Sequence, residues 1–185
     1  MKKIVLTAIL VFFVVATGNA QNLMGKMLSG GYLGYSFGMG DQFDDYEGSG
    51  YKAEFNAGFS LGGQFFYGFS EKFMIGGELM LQSYSFKVDY NEGPDYDDSE
   101  LKFAILGNVL YPINYTDEKA LFLIGGLGFY DRDDLGLGFN AGIMYRFAIG
   151  ENLYFFGMPR LHFLFADPSG QMIQIAVGLQ YPIGN

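Results

Sequence analysis

From Tyr51 to Phe69 the chain reads YKAEFNAGFSLGGQFFYGF, and alternate positions fall into two sets. Tyr51, Ala53, Phe55, Ala57, Phe59, Leu61, Gly63, Phe65, Tyr67 and Phe69 are mostly apolar. Between them stand Lys52, Glu54, Asn56, Gly58, Ser60, Gly62, Gln64, Phe66 and Gly68, which are small or polar apart from Phe66. Side chains alternate across a strand, so this spacing predicts one long β-strand with a greasy face and a small or polar face.

The pattern recurs along the chain. A first strand runs Gly30 to Met39, with Leu33, Tyr35, Phe37 and Met39 on the apolar face. The Tyr51–Phe69 strand turns at Ser70-Glu71 into a third, where Phe73, Ile75, Leu79 and Leu81 oppose Met74, Glu78, Met80 and Gln82. Near Ser83 the phase flips and Tyr84, Phe86, Val88 and Tyr90 become the apolar set. A bulge would do this, and so would a strand that has left the membrane. A fourth strand sets Leu101, Phe103, Ile105, Val109 and Tyr111 against Lys102, Ala104, Leu106, Asn108 and Leu110, with Pro112 as its expected end. The fifth, Lys119 to Tyr130, fits least well, because Phe122 and Ile124 make its second face apolar too. The sixth runs Leu135 to Ala148, and the seventh runs from Leu153 to Phe165 with a local bulge expected at Pro159. The eighth alternates Ile173, Ile175, Val177, Leu179 and Tyr181 with Met172, Gln174, Ala176, Gly178 and Gln180. Eight such strands predict an all-β, antiparallel, up-and-down barrel.

Alternation alone does not say which face is outside. A soluble lipocalin-like carrier also alternates, with its apolar face inward. The small or polar face carries only Lys52, Glu54, Glu78, Lys102, Arg146 and Arg160 as charges over eight strands, too few for a water-facing exterior. The other face is bulky throughout, and so many Phe, Leu and Tyr side chains would overfill an eight-stranded interior. The apolar face is therefore expected to meet lipid. Aromatics cluster toward both ends, Phe65, Tyr67, Phe69, Phe73 and Tyr181 at one and Phe37, Phe129 and Phe165 at the other, as two interfacial girdles would.

The start of the chain agrees. Lys2 and Lys3, the apolar run Ile4 to Ala16 and Gly18-Asn19-Ala20 predict a signal peptide over 1–20, leaving one barrel domain over 21–185. Loss of the two lysines takes the formal charge from −9 to −11, which argues against nucleic-acid binding. The absence of cysteine excludes a lipoprotein anchor and a disulfide framework. With 20 Phe, 14 Tyr and 28 Gly among 185 residues, the composition suits a surface that need not meet water. Connections after the first, third, fifth and seventh strands are acidic and the others mostly short, as in a barrel with both ends on one side of a membrane.

With the leader, eight alternating segments and unequal loops in hand, the chain resembles the small eight-stranded bacterial outer-membrane barrels of the OmpX/OmpA type. The long second and third strands resemble the protruding strands of OmpX. One departure is that the chain runs on past Tyr181 to Pro182-Ile183-Gly184-Asn185, where the family usually ends on an aromatic residue. The resemblance implies residence in the outer membrane of a Gram-negative-type bacterium, contact with its lipid, and handling by periplasmic chaperones and the barrel-assembly machinery. It implies no cofactor.

Three sets of residues could carry chemistry. Lys52, Glu54, Glu78, Lys102, Arg146 and Arg160 are expected to pair as a charge network in a closed polar lumen. His162, the only histidine, faces the lumen near the acidic end. The lipid A palmitoyltransferase family, which this barrel also resembles in size, uses a histidine near the outer surface. Catalysis would need a partner, and Asp167 and Ser169 are near only in sequence, so a packed histidine is the expectation. The acidic stretches, with Asp44, Asp45, Asp97, Asp98, Asp131 and Asp133, could hold a cation loosely, though Leu135 and Gly142 stand where an EF-hand needs ligands. The expected role is non-enzymatic: acidic loops held at the cell surface for adhesion or contact with an extracellular ligand. A narrow porin-like channel, a lipid-modifying acyltransferase and the soluble carrier are the alternatives.

Overall fold

The structure is a computed structural model describing residues 23–39, 46–48, 51–90, 94, 96–131, 135–165 and 170–184, with backbone alone for 46–48, 51–57 and 86. The expected leader over 1–20 lies outside the described residues. Nine strands follow in order: β1 Met27–Met39, β2 Tyr46–Gly48, β3 Tyr51–Gly68, β4 Met74–Tyr90, β5 Tyr96–Tyr115, β6 Lys119–Asp131, β7 Leu135–Gly150, β8 Leu153–Leu164 and β9 Gly170–Ile183. Each of the eight long strands pairs antiparallel with its neighbours, and β1 pairs with both β9 and β3, closing a barrel. The short β2 lies beside the start of β3, opposite Tyr51 to Ala53.

The stagger of the barrel can be walked through the pairs. Gln180 lies opposite Gly30, and the register passes through Gln64, Glu78, Leu106, Gly128, Gly138 and Leu164. It returns to β9 at Gly170, ten residues from where it began. With about 3.3 Å of rise per residue and 4.8 Å between strands, that shear tilts the strands by about 40°. A barrel of this size has an interior that side chains can fill.

The two faces separate as the alternation predicts. Leu33 is 65 % exposed, Phe59 75 % and Ile175 54 %, whereas Gln64, Asn140, Arg146 and Gln174 are buried. The soluble carrier is thereby excluded, since its charged face would have to meet water. Aromatic pairs ring the outside near both ends. Phe73 and Tyr111 stand 5.3 Å apart near the tight turns, as do Phe147 and Phe155 at 5.4 Å. Tyr35 and Phe59, at 5.2 Å, and the stacked Phe139 and Phe163, at 4.4 Å, lie toward the other end. Among the described residues no helix is long and apolar enough to cross a membrane.

Several expectations change in detail. The Tyr51–Phe69 strand is not in one unbroken phase, because its register with β4 shifts by a residue between Ala57 and Ser60. The bulge thus sits on β3 rather than at Ser83, whose hydroxyl donates to the Phe59 carbonyl at 3.3 Å. β4 itself runs unbroken against β5, so Tyr84 and Val88 continue the inward row of Met80 and Gln82. Above the bulge the strands have apolar residues inside and Ser85 and Lys87 outside, the arrangement water demands. Asp97, Asp98 and Ser99 belong to β5 rather than to a loop, and Tyr46–Gly48 is strand within the first acidic stretch. Pro112 does not end its strand, which shifts register between Pro112 and Asn114 and continues to Tyr115. Pro159 makes no bulge. Its strand keeps one register with β9 throughout, so the missing N–H costs ladder bonds without adding a residue.

Candidate functional site

The interior is layered. At the tight-turn end, Phe66, Met74, Leu110, Phe122, Ile124, Met144, Phe156 and Met158 form an apolar cluster. Leu23 enters it from the segment before β1, held by Leu23 N donating to Glu71 O and Gly25 N donating to Gly68 O. At the other end Met80, Ala104, Leu106, Tyr130, Leu164 and Met172 form a second cluster, with Tyr84 against it. The lumen therefore holds an apolar cluster toward each end with most of its polar side chains between them, not a polar lining throughout as expected. The apolar second face of β6, the poor fit in the sequence, is part of the lower cluster.

Between the clusters lies a hydrogen-bonded circuit. Arg160 on β8 donates from Nη1 to Glu78 Oε2 at 2.7 Å and from Nη2 to Oε1 at 2.6 Å. Tyr32 on β1 donates its hydroxyl to Glu78 Oε1, and Asn108 on β5 donates to Oε2 at 2.8 Å. Asn140 on β7 donates to Asn108 at 2.9 Å. Arg160 also reaches Gln174 Oε1 on β9, 3.1 Å from Nε and 2.7 Å from Nη2. The Gln174 amide then donates to Ser60 Oγ on β3 at 2.9 Å. His162 completes the ring: Nδ1 is 2.8 Å from the Tyr130 hydroxyl on β6, and Nε2 is 3.4 Å from Gln174 Oε1. Every one of the eight barrel strands supplies a member.

Glycine makes this crowding feasible. A Cβ on Gly62 would lie 2.2 Å from Cζ of the Tyr32 ring, and one on Gly142 would lie 2.7 Å from Cγ of Arg160. Large inward side chains lie over a glycine on the next strand, which explains small residues on the lumen face.

The six charged residues expected together are divided. Glu78 and Arg160 form the buried ion pair. Arg146 is equally buried but lies in the lower layer, donating from Nη1 to Gln180 Oε1 at 3.3 Å. Its guanidinium packs on Tyr154 at 4.2 Å, Tyr115 at 5.2 Å and Phe122 at 5.4 Å. Lys102 pairs with Glu100, 2.8 Å away on its own strand, toward the outer end. Lys52 and Glu54 sit above the bulge, opposite Asp89 and Lys87, and their side chains lie outside the described residues. Tyr32, Asn108, Tyr130, Asn140 and Gln174 join the network without being among the charged residues expected in it, although each stands on the lumen face of its strand.

Three of the six candidate cation ligands lie among the described residues. Asp97 and Asp98 are exposed on β5, Asp131 ends β6, and Asp44, Asp45 and Asp133 lie outside the described residues. Among the described residues no three acidic or histidine side chains gather as a metal site. Tyr96 donates to Asp98 Oδ2 at 3.0 Å, and that carboxylate raises the phenol above its ordinary pKa. Asp167 and Ser169, the only catalytic partners considered for His162, also lie outside the described residues.

No protein-family model matches the chain, and no curated protein matches it. Solved structures do. The outer membrane protein OprG from Pseudomonas aeruginosa aligns with a TM-score of 0.53 at 13 % identity, covering 90 % of this chain and 99 % of that one. A de novo designed transmembrane β-barrel aligns with a TM-score of 0.50 at 11 % identity, covering 88 % and 99 %. Ail, the attachment invasion locus protein of Yersinia pestis, gives 0.48 at 14 % identity, covering 86 % and 99 %. Closed antiparallel pairing, a ten-residue stagger, a greasy exterior and a filled interior give this chain the fold of the small eight-stranded outer-membrane β-barrels of the OmpX/OmpA type.

Proposed function

We propose that the barrel is a non-conducting, non-enzymatic scaffold that holds an acidic strand edge outside the membrane for contact with an extracellular partner. The observation that carries this reading is the unequal height of β5 and β6. β6 joins the ladder only at Ala104, opposite Tyr130. Asp97 to Leu101 hold β4 on one side and, among the described residues, no strand on the other. An open edge offers backbone N–H and C=O groups to another chain, and acidic side chains restrict which chain can use it. Asp97, Asp98 and Glu100 are all exposed there. A basic, extended segment is the complementary partner.

The filled interior supports the absence of conduction, and a histidine with both ring nitrogens engaged supports a packing role for His162. Outer-membrane lipid, chaperones and the assembly machinery complete the expected partners.

The chain has no native cysteine, so Ser99→Cys gives one reporter. A membrane-impermeant maleimide should label it on intact cells, and labelling only after permeabilisation would reverse the orientation and remove the reading. Large, stable openings in planar bilayers would favour the channel instead. Lipid A acylation that disappears in His162→Ala would favour the enzyme.

A further inference from the structure

The two buried arginines live in opposite electrostatic surroundings. Arg160 has the Glu78 carboxylate across Nη1 and Nη2 and a hydrogen bond from each of its three guanidinium nitrogens. Arg146 has neither. It is fully buried, and no carboxylate among the described residues lies within ion-pair distance of it. Its Nε and Nη2 find no hydrogen-bond partner among the described residues, and neither does Nε2 of Gln180. A buried cation without compensation is costly, and so are buried donors without acceptors.

The open donors belong to two side chains in contact. Gln180 already accepts from Arg146 through Oε1, so the Nε2 of the same amide lies within one contact of the guanidinium. Aromatic rings of Tyr115, Phe122 and Tyr154 wall the guanidinium. The Lys26 Nζ stands 5.0 Å from the Tyr115 ring centroid and is itself paired, with Asp117 at 3.5 Å and the Tyr115 hydroxyl at 3.3 Å. Water would accept from two of the donors but bring two hydrogens of its own. Gln64, which lies across Gly30 from Gln180, has both its amide oxygen and its amide nitrogen open among the described residues. An excess of donors around one net positive charge, within an apolar wall, matches an anion.

We propose that Arg146 and Gln180 form an internal site for one small monovalent inorganic anion of the halide class, inside the barrel beneath the Glu78–Arg160 pair. The site is independent of the surface role. The anion's charge replaces the carboxylate that Arg146 lacks.

Sodium bromide supplies the probe for the intact barrel. Crystals grown in it should show one bromide anomalous peak within hydrogen-bond reach of Arg146 Nη2 and Gln180 Nε2. In detergent, the wild-type unfolding temperature should rise with bromide or chloride but not with gluconate at matched ionic strength. Gln180→Leu keeps the arginine and should shift that halide dependence to about tenfold higher concentration, the loss of one charge-assisted hydrogen bond. Arg146→Met should abolish it. Should Arg146→Met fail to fold, the wild-type and Gln180→Leu titrations decide alone. Equal unfolding temperatures in halide and gluconate overturn the proposal, as does water in place of bromide. A crystal peak without any effect in solution, binding at crystal concentration only, overturns it too.

Discussion

Arg160 and Glu78 meet as a bidentate pair across the full width of the barrel, on strands four apart in either direction, at 2.7 Å and 2.6 Å. Neither side chain is exposed. The pair is a cross-brace between walls that share no ladder hydrogen bond. Removing one partner strands the other charge in a medium that cannot solvate it. Glu78→Gln and Arg160→Met are each expected to cost about 3–5 kcal/mol, and the double replacement Glu78→Leu with Arg160→Met to recover much of that. Urea unfolding of the detergent-solubilised barrel measures all three. Simple additivity of the two single losses would show that the brace is not a coupled unit.

Neighbouring glycines on one strand should respond oppositely to the same change. Gly62 lies under the Tyr32 ring, with 2.2 Å available to a new Cβ, whereas Gly63 faces outward and its nearest neighbour, Gly30 O, is 4.0 Å away. Gly62→Ala forces Tyr32 off Glu78 and is expected to cost about 1–3 kcal/mol. Gly63→Ala should stay within about 0.5 kcal/mol of the parent. Equal unfolding midpoints for the two variants would mean that Tyr32 is not pinned where the structure places it.

The greasy belt makes a depth-dependent prediction. Leu33 sits midway along β1, opposite Leu61 on one side and Val177 on the other. Leu33→Arg should cost about 2–4 kcal/mol in lipid vesicles, against about 0–1 kcal/mol for Tyr181→Arg near the rim. The measurement is the unfolding free energy from vesicles. Indifference at Leu33 would deny that this face meets hydrocarbon.

His162 should behave as packing. Its replacement by Ala leaves the Tyr130 hydroxyl without its partner while Gln174 keeps its bonds to Arg160, an expected loss of about 1–3 kcal/mol. The acylation state of lipid A should be the same with either residue, read by mass spectrometry of cells expressing each form. A change in lipid A would make the histidine functional.

The outward face was legible because hydrocarbon constrains every residue that touches it. Leu33, Phe59 and Ile175 could be placed from period two together with the scarcity of charge on the opposite face. The interior was legible only as a set. Asn108, Asn140 and Gln174 stand on the inward rows of their strands, but which of them meet depends on the ten-residue stagger, and no local window of sequence carries that quantity. The β3 bulge was hidden for a related reason. Ala53, Phe55 and Ala57 continue the odd-numbered apolar row straight through Gly58, so the shift leaves no mark in the pattern. Its trace appeared only on the facing strand, as the change of phase at Ser83. Arg146 and Arg160 look alike in sequence, each alternating with apolar residues. Only the neighbours that the stagger brings in make one a braced cation and the other a cation on aromatic rings.

The circuit through all eight strands bears on how such a chain is completed. Arg160 lies 82 residues from Glu78 and 128 from Tyr32, so none of those bonds can form while the polypeptide is still a partial ribbon. A curved sheet missing its final strand would show Glu78, Arg160 and His162 to acyl chains along an open slit. Each absent strand deletes one link, leaving no comfortable halfway shape. The seam between β9 and β1 sets Arg160 and Gln174, already neighbours on β8 and β9, against Tyr32 and Glu78 beyond it, so the circuit is complete only in the closed ring.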